Sequence, residues 1–126
     1  MRGLRSPLAR HPKYYRHSKE TILVNPNSHP PIGKLVNIGS HQLHIYSIGE
    51  GNPSVIFESG GASWSLDWNL VQTEVAKFTN ACSYDRAGFG WSESGSTPRT
   101  SEQIVTELHT LLTKAEIKKP YILVGA

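Results

Sequence analysis

Apolar residues in most of the chain form short strand-like runs separated by turn residues. Two β-prone runs, at residues 35–38 and 43–48, flank a Gly39-Ser40-His41-Gln42 segment whose glycine favours a tight turn, so they predict a hairpin. Residues 54–58 form a nearly unbroken apolar run, which is typical of a strand buried on both faces. Residues 81–84 and 121–124 predict two further strands.

Two helices are predicted between these strands. The first begins near Ser65 or Asp67, since apolar residues then recur at spacings of three and four, at Trp68, Val71, Val75 and Phe78. The second begins with a capping box of Thr100 and Gln103. Its apolar stripe contains Ile104, Val105, Leu108, Leu111, Leu112 and Ala115.

The resulting order of elements, β-β-β-α-β-α-β, predicts the α/β class. Glycine or proline marks the breaks before the later strands, and the helices between them allow parallel crossovers. We therefore expect a mostly parallel sheet with an antiparallel hairpin at one edge. A complete doubly wound enzyme needs roughly twice the 126 residues of this chain, so at most half of such a fold is expected here.

Charge divides the chain into two parts. Residues 1–33 carry six Lys or Arg against one Glu and contain five of the eight prolines, whereas residues 34–126 carry seven basic against nine acidic side chains. The first part has little hydrophobic periodicity, so we expect a disordered basic leader at 1–33 and a folded domain at 34–126.

The leader does not resemble a secretory signal, because Leu4, Leu8 and Ala9 are too scattered to form an apolar h-region. Its remaining functional option is a weak contact with nucleic acid or another anionic surface through its basic residues. No stretch of the sequence approaches the roughly 20 apolar residues of a membrane span. The single cysteine, Cys82, excludes an internal disulfide, and cytoplasmic localisation is mildly favoured.

Two glycine-containing turns carry the candidate chemistry. Ser59-Gly60-Gly61-Ala62 follows the buried strand at 54–58, where backbone N–H groups can face a developing oxyanion and a missing Cβ lets substrate approach. The second turn, Tyr84-Asp85-Arg86-Ala87-Gly88-Phe89-Gly90-Trp91-Ser92, follows the strand at 81–84. Taken alone, the first turn can equally be a plain connection between a strand and a helix, whereas the second is the more specific motif.

Together these turns resemble the first half of an α/β-hydrolase of the type with a Gly-His-Ser-x-Gly-Gly nucleophile turn. The second turn resembles that family's Asp-x-x-Gly-x-Gly-x-Ser loop, and the first resembles its His-Gly-x oxyanion turn with serine in place of histidine. The resemblance implies an oxyanion hole at the N–H of Gly61, with Ala62 as the alternative donor. It implies structural roles for Gly60, Asp85, Gly88 and Gly90. It leaves open whether Arg86 pairs with Asp85, pairs with Glu58 or meets substrate.

In this family the nucleophile, acid and base all follow a strand such as 121–124, so no residue of this chain is assigned to the triad. The resemblance implies a serine hydrolase of small esters, amides or peptides, in a chain that is truncated and inactive alone. The substrate would be a small ester or amide molecule if a longer enzyme exists. The strand at 121–124 would then be an exposed edge, for which we expect self-association. The alternative is a noncatalytic interaction protein that uses the half-fold as a scaffold for its basic leader.

Other chemistries are not favoured by the sequence. Gly90-Trp91-Ser92-Glu93-Ser94 is the nearest approach to Gly-x-Ser-x-Gly and lacks the last glycine. Gly88–Glu93 begins like a dinucleotide fingerprint but ends in glutamate, so no cofactor is predicted. His41 and His44 have no cysteine or clustered carboxylates near them in sequence, so no metal site is predicted, and His109 is expected to be solvated.

Overall fold

The computed structural model describes the backbone of residues 13–17 and 20–24 and the whole of residues 28–126. Its strands are β1 (Lys13–His17), β2 (Glu20–Val24), β3 (Lys34–Asn37), β4 (Gln42–Ile48), β5 (Ser54–Glu58), β6 (Ala81–Tyr84) and β7 (Tyr121–Gly125). Its helices are α1 (Asn69–Val75), which continues a 3₁₀ turn at Ser65–Trp68, and α2 (Ser101–Lys114).

Five of the strands form one sheet in the order β3-β4-β6-β5-β7. The hairpin of β3 and β4 is antiparallel, with Gly39 at φ 115° in its turn, and β4 also pairs antiparallel with β6. The remaining pairs, β6 with β5 and β5 with β7, are parallel. The predicted fold class is confirmed: the sheet is mixed, and an antiparallel hairpin lies at one edge.

Helices cover opposite faces of this sheet, because alternate residues of β5 contact different clusters. Ile56 belongs to the cluster that contains Leu111 and Leu112 of α2. Val55 and Phe57 belong to a second cluster, against which Val75 of α1 packs. The interior strand β5 is therefore buried on both faces, as its apolar run predicts.

The predicted apolar face of the first helix is partly wrong. Val71 is 49% exposed and Phe78, which lies beyond the end of α1, is 84% exposed. The helix instead buries Gln72, whose side-chain amide donates to the carbonyl oxygens of Tyr46 (2.9 Å) and Ala81 (3.0 Å). These two hydrogen bonds offset the cost of burying the amide nitrogen of Gln72.

The start of the second helix follows its capping residue. The Thr100 side chain accepts a hydrogen bond from the Gln103 N–H at 3.1 Å. Leu111 and Leu112 are buried as expected. Val105, however, is 65% exposed, whereas the charged residue Glu107 is buried. The apolar stripe is thus narrower than the sequence predicts.

A second sheet was not predicted: β1 and β2 form an antiparallel hairpin within the basic leader. The rest of the leader before residue 28 lies outside the described residues, so its disorder stays a prediction. From residue 28 the chain contacts the domain, because Trp91 Nε1 donates to the His29 carbonyl oxygen at 2.9 Å.

Candidate functional site

Three parallel strands end at the same edge of the sheet. The Ser59–Ala62 turn follows β5, the loop that begins at Asp85 follows β6, and β7 ends at Gly125. Carboxyl ends of parallel strands are where open α/β sheets bind ligands. The two turns that carry the sequence motifs therefore lie at one candidate site.

The Ser59–Ala62 turn is held at its start and exposed in its middle. Ser59 is buried, and its hydroxyl accepts a hydrogen bond from Trp68 Nε1 at 3.0 Å. A Cβ on Gly60 would lie 2.7 Å from the Ala126 carbonyl oxygen, so only glycine fits beside the end of β7. Gly61 and Ala62 are exposed, and a Cβ on Gly61 would meet nothing within 4 Å. The surface of the turn is open to an approaching molecule.

Asp85 connects three separate segments beneath this edge. Its side chain is fully buried, and Oδ1 accepts the Ser65 N–H at 2.7 Å while Oδ2 accepts the Trp91 N–H at 3.1 Å. His44 Nδ1 of β4 lies 3.0 Å from the same Oδ2. A buried carboxylate needs such partners, so Asp85 fixes the 3₁₀ turn at Ser65–Trp68 and its own loop relative to β4.

The contact between His44 and Asp85 depends on one imidazole tautomer. His44 Nε2 lies 3.0 Å from the backbone nitrogen of Gly33, whose N–H can only donate. Nε2 therefore presents a lone pair to the Gly33 N–H, while Nδ1 lies on the side of the ring next to Asp85 Oδ2. Sequence reasoning considered His44 only as a metal ligand and missed this contact, whose partners lie 11 and 41 residues away along the chain.

Gly88 and Gly90 shape the loop after Asp85. Both have positive φ, 86° and 50°, which favours glycine. A Cβ on Gly90 would lie 2.3 Å from Asp85 Oδ2. Ser92 joins the end of the loop to β4, because its hydroxyl accepts the His44 N–H at 2.8 Å and donates to the Asp85 carbonyl oxygen.

Arg86 lies next to the Ser59–Ala62 turn. Its Nη2 donates to the Gly60 carbonyl oxygen at 2.7 Å, and its Nε lies 3.4 Å from Glu58 Oε1. The guanidinium carbon lies 5.4 Å from the centroid of the Phe89 ring. Of the alternatives that the sequence left open, Arg86 therefore pairs with Glu58 and also reaches the turn.

Tyr84 completes this cluster from the end of β6. Its hydroxyl donates to Glu58 Oε2. Burial, followed by the hydrogen bond to Glu58 and its negative charge, raises the pKa of Tyr84 well above its ordinary value. The phenol therefore remains a neutral donor and holds the carboxylate toward Arg86.

A separate ionic cluster lies on α2. Glu107 is buried and accepts two hydrogen bonds from Arg99, at 2.6 and 3.0 Å, while His41 Nε2 lies 3.5 Å from its carboxylate. The hydrogen bond to Glu107 raises the pKa of Arg99. His109 is exposed, as predicted. Within the described residues no group of three or more His, Cys, Asp or Glu side chains could hold a metal ion.

A cavity of about 590 Å³ lies at the other end of the sheet. Its lining includes Gly51 before β5, Asn80 before β6 and Lys118 before β7, so it opens at the amino ends of the parallel strands. None of the lining residues belongs to the two turns with the sequence motifs. The cavity is thus separate from the candidate site.

Comparison with known proteins identifies the fold. No family model matches the chain. Among solved structures it is similar to an enol-lactonase from Burkholderia xenovorans LB400 (TM-score 0.63, 24% identity, 69% of this chain and 34% of that one). It is also similar to a meta-cleavage product hydrolase, CumD, from Pseudomonas fluorescens IP01 (TM-score 0.63, 26% identity, 75% and 35%).

Two curated proteins are similar in sequence. A probable transporter, efuK, from Hormonema carpetanum is 36% identical over 97 residues, which are 72% of this chain and 14% of that protein. An uncharacterized protein, YqjL, from Bacillus subtilis is 34% identical over 77 residues, or 61% and 30%. The chain therefore spans less than a third of these relatives and about a third of the solved structures.

These findings define the class of protein. The chain forms part of an α/β-hydrolase fold. The resemblance drawn from the two turns is confirmed. Separately, none of the helices in the described part of the chain is long and apolar enough to cross a membrane.

Proposed function

We propose that this chain supplies the oxyanion-hole portion of a serine hydrolase that cleaves esters, amides or peptide bonds. In this role the Gly61 N–H, or alternatively the Ala62 N–H, stabilises negative charge on the substrate carbonyl oxygen. The observation that carries the proposal is the position of an exposed glycine turn beside the end of β7, where Gly60 approaches the Ala126 carbonyl oxygen. Nucleophile and oxyanion donors must lie about 3 Å from one reacting atom, so a turn beside a strand end suits that chemistry.

The substrate class follows from the solved structures only by analogy. One neighbour is an enol-lactonase and another a meta-cleavage product hydrolase. Lactone hydrolysis passes through a tetrahedral intermediate with negative charge on the former carbonyl oxygen, which an N–H pair stabilises. A small carbonyl substrate with a hydrolysable bond is therefore the class that we propose.

The chain alone is proposed to be inactive, because no residue is assigned as nucleophile, acid or base. Turnover of p-nitrophenyl acetate should not exceed that of an unrelated protein with similar histidine content. Saturable hydrolysis that a fluorophosphonate abolishes, with the label on a serine of residues 34–126, would refute this inactivity. We propose the cytoplasm as the location, which is supported by a single buried cysteine, Cys82, and hence no disulfide.

A transplant tests the oxyanion role directly. Residues 54–62 of this chain replace the superposed segment of the CumD hydrolase, and the transplant should retain turnover. Adding Gly61→Pro removes the N–H and should lower kcat by about 10² to 10³, the usual loss on removing one oxyanion donor. Ala62→Pro tests the alternative donor in the same way. A folded transplant that keeps full kcat with both prolines would refute the proposal.

A further inference from the structure

We propose that Arg86 is a positioning residue that keeps the Gly61 N–H directed toward the substrate. This inference rests on the proposed function, because it assigns a partner to the proposed oxyanion donor. Its basis is the contact between Arg86 Nη2 and the Gly60 carbonyl oxygen at 2.7 Å.

The geometry of the peptide bond transmits the contact. In a planar trans peptide, the carbonyl of Gly60 and the N–H of Gly61 point in opposite directions. Arg86 Nη2 and the Ser63 N–H, at 3.1 Å, both donate to the Gly60 oxygen and hold it on the protein side. The Gly61 N–H is therefore directed away from Arg86, on an exposed turn.

Without such an anchor this peptide plane would be easy to invert. It joins two glycines, which reach both signs of φ at little steric cost. Inversion would replace the Gly61 N–H by the Gly60 carbonyl oxygen at the same place, and that oxygen would repel an oxyanion. A charged donor at 2.7 Å opposes inversion more strongly than the neutral Ser63 N–H alone.

Two groups contact the guanidinium, and a third holds one of these two in place. Glu58 lies 3.4 Å from Nε, the Tyr84 hydroxyl donates to Glu58, and the Phe89 ring lies against the guanidinium. The Arg86 side chain is 20% exposed, so the pair with Glu58 is shielded from most solvent. These contacts bind Arg86 to β5 and β6, and Arg86 in turn binds the exposed turn.

The test uses the 126-residue chain labelled with ¹⁵N-glycine in the Leu123→Lys background, which is expected to be monomeric and serves as the wild type of the comparison. Gly61→Ala identifies the Gly61 peak by its disappearance, and its Cβ enters open space. In wild type the Gly61 N–H should show the order of a rigid backbone, with an order parameter of about 0.85. In Arg86→Met the order parameter should fall below about 0.6 and the residual dipolar coupling of this N–H should shrink. Arg99→Met, which removes the arginine paired with Glu107 on α2, should leave both values unchanged.

The outcomes separate this inference from the proposed function. If R86M keeps the wild-type coupling and order at Gly61, the positioning role is wrong. If R86M loses the chemical-shift dispersion of the other glycine peaks, the variant is unfolded and R86K is measured in its place. A lysine lacks the planar fork of arginine. Intermediate order at Gly61 in R86K therefore supports the positioning role, and wild-type order overturns it. Sodium acetate should shift the wild-type Gly61 amide proton saturably. If R86M disorders Gly61 but acetate shifts nothing in wild type, Arg86 positions the turn and the oxyanion role fails.

Discussion

Replacing Gly90 with alanine is expected to destabilise the domain far more than replacing Gly88, although both glycines have positive φ. At φ 86° and 50°, a Cβ costs about 1–2 kcal/mol in either position. At Gly88 the new Cβ meets nothing within 4 Å, so this strain is the whole cost. At Gly90 it would lie 2.3 Å from Oδ2 and 2.4 Å from Cγ of Asp85, which must then move.

The additional loss of unfolding free energy in Gly90→Ala follows from the hydrogen bonds that the Asp85 carboxylate accepts. Its carboxylate accepts the N–H groups of Ser65 and Trp91, and a hydrogen bond to a charged group contributes about 1.5–3 kcal/mol. Losing one of them brings the expected cost of Gly90→Ala to about 2.5–5 kcal/mol, against about 1–2 kcal/mol for Gly88→Ala.

Urea unfolding followed by tryptophan fluorescence measures both variants, because the rings of Trp64 and Trp91 pack at 5.0 Å beside this loop. The free energies are compared at equal m-values, so that only the stability differs. If Gly90→Ala and Gly88→Ala lose the same free energy of unfolding, the role of the Asp85 carboxylate as the central anchor is refuted.

Three further perturbations probe other parts of the domain. Tyr84 has a raised pKa in the folded state, so its contribution to stability is complete below about pH 10 and is lost as pH rises above it. In urea titrations between about pH 9 and 11, the free energy of unfolding of Tyr84→Phe should therefore fall less steeply with pH than that of the wild type. Arg99→Ala leaves the buried Glu107 carboxylate without its main partner, so the free energy of unfolding should fall by about 2–3 kcal/mol, whereas Lys77→Ala, which breaks an exposed pair, should cost less than about 0.5 kcal/mol. Leu123 lies on the edge strand β7 and is 63% exposed, so we expect the chain to dimerise or aggregate at micromolar concentration. Leu123→Lys should give a monomer by light scattering, and a wild-type monomer would contradict this expectation.

The elements that sequence predicts well are those whose signal is local. The apolar run of β5 and the Thr100 cap of α2 depend only on neighbouring residues, and both appear where expected. Buried polar residues were missed because their partners are distant in sequence. Gln72 pairs with the Tyr46 carbonyl, 26 residues away, and a helical pattern alone places a glutamine on the solvent side.

At the candidate site, too, the local features were predicted and the long-range contacts were not. Glycine spacing placed Asp85, Gly88 and Gly90 in one turn after a strand, which the structure describes. The partner of Arg86 was left open by the sequence, because β5 and β6 had to be neighbours in the sheet before Glu58 and Gly60 could meet it. Strand order is a long-range property that no local pattern contains.

Two charged groups anchor neighbouring segments at this edge of the sheet, and their loss has different consequences. Asp85 binds the Ser65 N–H from the buried side, so its loss affects the packing of the whole edge. Arg86 binds the Gly60 carbonyl oxygen itself, and its side chain is partly exposed, so its loss should affect the turn more than the core. Gly90→Ala is therefore expected to lower stability and to disorder Gly61 together. Arg86→Met should disorder Gly61 while most of the stability remains, and that difference separates the anchoring of the fold from the orientation of the proposed oxyanion donor.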